Sequence, residues 1–158
     1  MVKIFDMLTN KSNYGSTRDL SDIKYIVLHE AKDDNISSIN EFQKNNLNKS
    51  IHYYVNKKSI SRCVNDESTA YSVSISTMTN DKSIKNSNSI NIMISKSGNA
   101  EVMELTAELI ADKMKEYNIT LDNVVRHYDL NNKVNCPSSL IDDNKWKEFK
   151  ELIVKKMQ

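Results

Sequence analysis

Apolar side chains gather in five short stretches with the spacing of strands and in three longer ones with the spacing of helices. Residues 23–28 (IKYIVL) form a nearly continuous β-branched and apolar run that ends at His29-Glu30. A run too short for a buried helix and apolar throughout is the pattern of a central strand covered on both faces. Residues 51–55 (IHYYV) and 60–64 (ISRCV) flank the polar tetrapeptide NKKS and predict a hairpin. Residues 89–94 (SINIMI) alternate before turning apolar and stop at SGN, and residues 121–126 return to strand. In the helical register, Val102, Leu105, Leu109, Ile110 and Met114 line one face of residues 102–117, with acids early and lysines late as the helix dipole favours. Trp146, Phe149, Leu152 and Ile153 do the same for residues 143–156, and Ile39, Phe42 and Leu47 mark a narrower helix over 37–47, opened by residues 33–35. The start of the chain is polar and irregular, and residues 65–88 read as a long serine-rich surface loop, a length that is often functional. Strands interleaved with helices, without regular βαβ repetition, predict an α/β fold: one central mixed β-sheet flanked by helices.

Composition narrows this without changing it. With 158 residues, 39% hydrophobic and 27% charged, the chain has the size and balance of a single domain over 1–158 that buries its own core. A net charge of +1 supplies no field to draw it to nucleic acid or an anionic membrane. No run of about 18 apolar residues exists, so no membrane insertion is expected. The first residues lack the apolar core of a signal peptide, which predicts synthesis in the cytoplasm. A monomer is expected. Cys63 and Cys136 are the two cysteines. In a reducing compartment they stay free, or one serves a metal, more often than they pair.

The chemistry concentrates in RHYDLNNKVNCPS, residues 126–138. His127 follows the apolar pair Val124-Val125, and Cys136 comes nine positions later across an asparagine-rich loop. Imidazole and thiolate are both zinc donors, but a catalytic zinc takes three protein ligands and one open position. His29, at the end of a strand, is the favoured third member, whereas His52 lies near the start of one among bulky neighbours and reads as a hydrogen-bonded core or wall residue. The residues alone leave a second reading open, in which His127 caps a strand and Cys136 is a small buried hydrophobe. No CxxC or HExxH pattern decides between them. By the same reasoning Glu30 is a solvated strand-end carboxylate, and Tyr53 and Tyr54 are wall or core.

The segments IKYIVLHE, SIHYYVNKKSI, NSINIMISKSG, EYNIT and VVRHYDLNNKVNCPSS, in this order and spacing, resemble the zinc-dependent N-acetylmuramoyl-L-alanine amidase family (amidase type 2), which includes phage endolysins and peptidoglycan recognition proteins. The resemblance spans almost the whole chain. It implies Zn2+ held by His29, His127 and Cys136, and hydrolysis of the amide between N-acetylmuramic acid and L-alanine in peptidoglycan. It also implies action at the cell wall, after release by a holin, by lysis or by secretion; in a chain of this length no separate wall-binding domain is expected. Several positions depart from the family. Met93 stands where many members have a general-base glutamate, and Ile51 where others have a tyrosine. Lys133 matches the family lysine counted from His127 and is the expected catalytic residue, with one extra residue before Cys136. The segment AYSV replaces a tryptophan-containing one, leaving Tyr71, with Tyr53, as the residues expected to contact substrate. The alternative expectation is an impaired amidase fold that keeps zinc and binds muropeptide or a protein partner.

Overall fold

Residues 25–30 behave as their composition requires and become an interior strand of the sheet, buried on both faces. The structure, a computed structural model, describes residues 2–32, 43–73, 83–96 and 98–158. Its strands are β1 (Ile4–Asp6), β2 (Tyr14–Thr17), β3 (Tyr25–Glu30), β4 (Tyr53–Val55), β5 (Ile60–Arg62), β6 (Ser68–Ala70), β7 (Ser89–Ile94) and β8 (Val124–Arg126). A six-stranded sheet runs in the order β1-β5-β4-β7-β3-β8, and β2 pairs with β6 in a second, two-stranded sheet. Within the large sheet only the β4–β5 hairpin is antiparallel. The expected mixed sheet is therefore present, with β3 between β7 and β8.

Strand alternation divides the core. Ile26 and Leu28 of β3, Tyr53 and Val55 of β4, and Ile90, Ile92 and Ile94 of β7 pack against the helices. Those helices are α1 (Ala100–Tyr117), α2 (His127–Leu130) and α3 (Asp143–Met157), of which α1 and α3 cover this face. Both long helices start where a side chain replaces the missing intrahelical acceptor. Asn99 accepts from the N–H of Val102 at 3.0 Å, and Asp142 accepts from that of Lys145 at 3.0 Å. α1 stops at Asn118, whose left-handed φ of 53° ends the helix while Ile119 N–H donates back to Met114 O. On the opposite face two smaller clusters form, Val27 with Val73, Ile84 and Leu130, and Tyr54 with Ala31, Ile51 and Cys63. His29 belongs to this second face.

Four expectations are corrected. The irregular start holds β1 and β2, and the expected loop over 65–88 holds β6; strands of three or four residues are too short to show a period, and their partners lie far along the chain. The strand expected over 121–126 is shortened, because Leu121–Asn123 forms a 3-10 turn first. Of the helix expected over 37–47, residues 37–42 lie outside the described residues; residues 43–46 make turns, with Asn46 at φ 58°. Among the described residues no helix is long and apolar enough to cross a membrane.

Candidate metal centre

His29 is the fifth residue of β3, aligned with Met93 of β7, and its parity puts it on the face away from α1 and α3. β8 ends at Arg126, and His127 opens the one-turn helix α2 that follows it. From α2 the chain turns back, and Tyr128 N–H donates to Cys136 O at 2.8 Å. That closure delivers Cys136 to the end of β3. One imidazole nitrogen each of His29 and His127 and the sulfur of Cys136 all lie within 4.8 Å of one another. Donors around one tetrahedral zinc stand roughly 3.3 to 3.8 Å apart, so the set closes on one zinc with side-chain shifts of about 1 Å. The two rings stand 5.0 Å apart, tilted by 59°. His29 is buried while His127 and Cys136 are partly exposed, leaving the set open on one side.

A residue absent from the sequence-based candidates orients the first of these donors. Asn91 Oδ1 lies 2.9 Å from His29 Nε2, and Asn91 Nδ2 donates to Ser89 Oγ at 3.0 Å. With its amide committed in that sense, Asn91 accepts from His29 Nε2–H, so Nδ1 carries the lone pair available to a metal. The visible signal was a polar residue inside the apolar run SINIMI. Burial, followed by the neighbouring His127, lowers the His29 pKa to about 4, against the weaker opposing effect of Asn91. Burial lowers His127 as well and pushes the Cys136 thiol up. Both imidazoles are thus neutral and ready to donate at neutral pH. A cation bound among the three would displace the proton of the cysteine.

His52 is the fully buried hydrogen-bonded residue it was expected to be. Asn91 N–H donates to its Nδ1 at 3.0 Å, so Nε2 carries the hydrogen and donates to Ser68 O at 3.0 Å. Arg18 Nη2 lies 3.1 Å from that same Nε2, a neighbour that penalises an imidazolium. Burial and then Arg18 lower the His52 pKa from 6.5 to about 4. Between these values the unfolded chain takes up a proton that the folded one refuses, so stability falls as pH falls through that window, by on the order of 3 kcal/mol in full. Metal-free protein is expected to melt lower at pH 4.5 than at pH 7. His52→Gln should flatten that dependence by its share while His29 keeps the rest; an unchanged slope would place the acid sensitivity elsewhere.

The remaining candidates separate. Tyr53 is corrected: it is fully buried on the helix face, and its hydroxyl donates to Asp66 Oδ1 at 2.7 Å. Asp66 also takes Lys113 Nζ at 2.7 Å and Tyr117 OH at 2.5 Å, so this tyrosine belongs to a buried polar brace with α1. The neighbouring Tyr54, aligned with Met93, is the one that shares the face of His29. Tyr71 follows β6, its ring so close to Gly15 that a Cβ there would lie 2.9 Å from Tyr71 Cε1. Lys133 is exposed on the turn between α2 and Cys136, its backbone N–H donating to Asn131 Oδ1 at 3.1 Å. Met93 is half-buried beside Tyr54, Ile51 and Cys63, and Cys63 is a free, buried thiol whose pKa burial pushes up to about 12. Glu30 is half-buried rather than a freely solvated carboxylate, its Oε2 accepting hydrogen bonds from Ser138 and its Oε1 from Ser139.

Comparison with known proteins bears on the same segments. N-acetylmuramoyl-L-alanine amidase CwlL of Bacillus licheniformis is 28% identical over 166 residues, which cover 91% of this chain and 44% of that protein. The chain therefore spans less than half the length of this curated relative. Among solved structures, a mutant endolysin from Bacillus subtilis is 25% identical, with a TM-score of 0.79 over 97% of this chain and 99% of that one. PlyL is similar in fold, with a TM-score of 0.79 over 96% of each chain at 22% identity. The sequence profile described as N-acetylmuramoyl-L-alanine amidase matches residues 19–139. That match begins ahead of the strand bearing His29 and ends just past Cys136, enclosing the whole donor set, and it makes this chain a member of the N-acetylmuramoyl-L-alanine amidase family.

Proposed function

We propose that this chain hydrolyses the amide between the lactyl group of N-acetylmuramic acid and L-alanine in peptidoglycan, using zinc held by His29, His127 and Cys136. The observation that carries the reading is the convergence of those three donors within 4.8 Å, drawn from β3, α2 and the turn that follows it. Zinc in such a site lowers the pKa of a water to about 7 and polarises a carbonyl, which makes an inert amide attackable. The chain's own groups supply the rest. Asn91 keeps His29 in the tautomer that donates through Nδ1. Cys136, as a thiolate, cancels one of the two metal charges and leaves a site of net +1, suited to a developing oxyanion. Lys133, on its exposed turn, is the proposed donor to the oxyanion or the leaving amine, and Tyr71 the proposed wall against a sugar ring. Met93 has no proton to exchange, so the proton transfer that a glutamate would make in this place falls to Lys133 or to solvent.

The test is metal analysis of purified protein together with an assay for new alanine amino termini in purified peptidoglycan. Stoichiometric zinc with alanine release is expected. Protein that takes up no zinc when offered it, and releases no alanine, overturns the proposal.

A further inference from the structure

β3 outruns its neighbour. β8 ends at Arg126, opposite Leu28, two residues before β3 does. The N–H of Ala31 points to β7 and donates to Ile94 O at 2.8 Å. Since successive residues of a strand turn their N–H groups to opposite edges, that of Glu30 faces the edge which β8 has vacated. There it donates to Cys136 Sγ at 3.3 Å. The Glu30 side chain reaches the same segment two and three residues further on. Its Oε2 accepts from Ser138 N at 3.0 Å and from Ser138 Oγ. Its Oε1 accepts from Ser139 Oγ at 2.7 Å and from Ser139 N at 3.3 Å.

One carboxylate thus takes four donors from two consecutive residues. The turn it grips is bounded on its other sides. A Cβ on Gly98, which has φ 48°, would lie 2.8 Å from Ser139 Cβ, so the loop after β7 presses directly on it. Arg126 Nη1 donates to Leu140 O at 2.9 Å and to Ile141 O at 3.1 Å, tying the next residues to the end of β8.

We infer that Glu30 is a positioning residue for the Cys136 thiolate: it grips Ser138 and Ser139 by its carboxylate and the sulfur by its backbone N–H, and so holds the third ligand beside His29 and His127. The inference rests on the zinc reading above. It also gives Glu30 a role distinct from proton transfer, because both carboxylate oxygens are already engaged. Without the carboxylate the segment is still tethered through Arg126 and the Tyr128–Cys136 bond, so the chain folds, but the sulfur loses its fixed place. Partners of this kind, one step removed from the metal, typically set about 10- to 100-fold of metal affinity.

The experiment compares zinc affinity, by chelator competition, with the near-ultraviolet thiolate-to-cobalt band of Co2+-loaded protein. Glu30→Ala is expected to weaken zinc binding about 10- to 100-fold and to alter the cobalt band. The double variant Ser138→Ala, Ser139→Ala leaves β3 intact and is expected to change both in the same direction, which decides the matter if Glu30→Ala does not fold. In a Cys136→Ser background, Glu30→Ala should change zinc affinity by less than about twofold, since its effect runs through the sulfur. An unchanged affinity and band in both variants overturns the inference while the parent's own zinc binding upholds the zinc reading. An equal loss in the Cys136→Ser background also overturns it, by showing a general disruption. A parent that takes no zinc overturns both.

Discussion

Met93→Glu is expected to raise the rate of alanine release from peptidoglycan about 10²- to 10⁴-fold, the usual worth of a positioned proton acceptor. Met93 is aligned with His29 across the parallel β3–β7 pair and with Tyr54 across β4–β7, so its side chain leaves the sheet on the face that carries the ligands. Glutamate is close to methionine in length and would bring a carboxylate to that place. The surroundings favour the role. Ile51, Tyr54 and Cys63 are buried around the position, and desolvation of this kind raises a carboxyl pKa towards neutrality, where a base in balance with its conjugate acid works best. The same desolvation costs stability, about 1 to 3 kcal/mol. Met93→Gln supplies the shape without the proton site and should leave the rate where it was. Steady-state rates of the three proteins, each with zinc content measured, make the comparison. Equal rates for Met93→Glu and Met93→Gln, with zinc bound in both, would show that proton transfer does not limit this site or is supplied elsewhere, with Lys133 the next position to change.

His127→Ala should abolish that activity and weaken zinc binding by roughly 10³-fold or more, because a site with two ligands left holds the ion poorly. His127 suits this test better than His29. It opens a four-residue helix and is partly exposed, whereas His29 is buried and hydrogen-bonded to Asn91. The metal-free stability of His127→Ala is therefore expected to stay within about 1 kcal/mol of the parent, as for other partly exposed substitutions. Melting curves in excess chelator check this, and added zinc should raise the melting temperature of the parent but not of the variant. Alanine release that survives the substitution would separate hydrolysis from this metal centre.

The three donors show how far local reading reaches. His29 could be placed at a strand end from the run before it, because a continuous apolar stretch is covered on both faces wherever it lies in the sheet. His127 and Cys136 were legible as a pair by their donor chemistry and the polar loop between them. Their meeting with His29 was suggested by its place at a strand end and sharpened by resemblance to a family, since no local spacing joins residues about a hundred positions apart.

What the sequence by itself determined is the set of elements whose signal is local: the period of α1 and α3, the apolar runs of β3 and β7, and the donor types at 29, 127 and 136. The tertiary structure decided everything that depends on register and on edges. It turned Tyr53 to the helices and left Tyr54 beside the site, a choice of parity that two adjacent tyrosines cannot announce. It paired the three residues of β1 with β5 and those of β6 with β2, where strands that short have no period to read. It also set Asn91 under His29 and gave Glu30 the two serines beyond Cys136. A carboxylate at a strand end becomes a clamp instead of a solvated charge only when the neighbouring strand stops short and another part of the chain moves into its place.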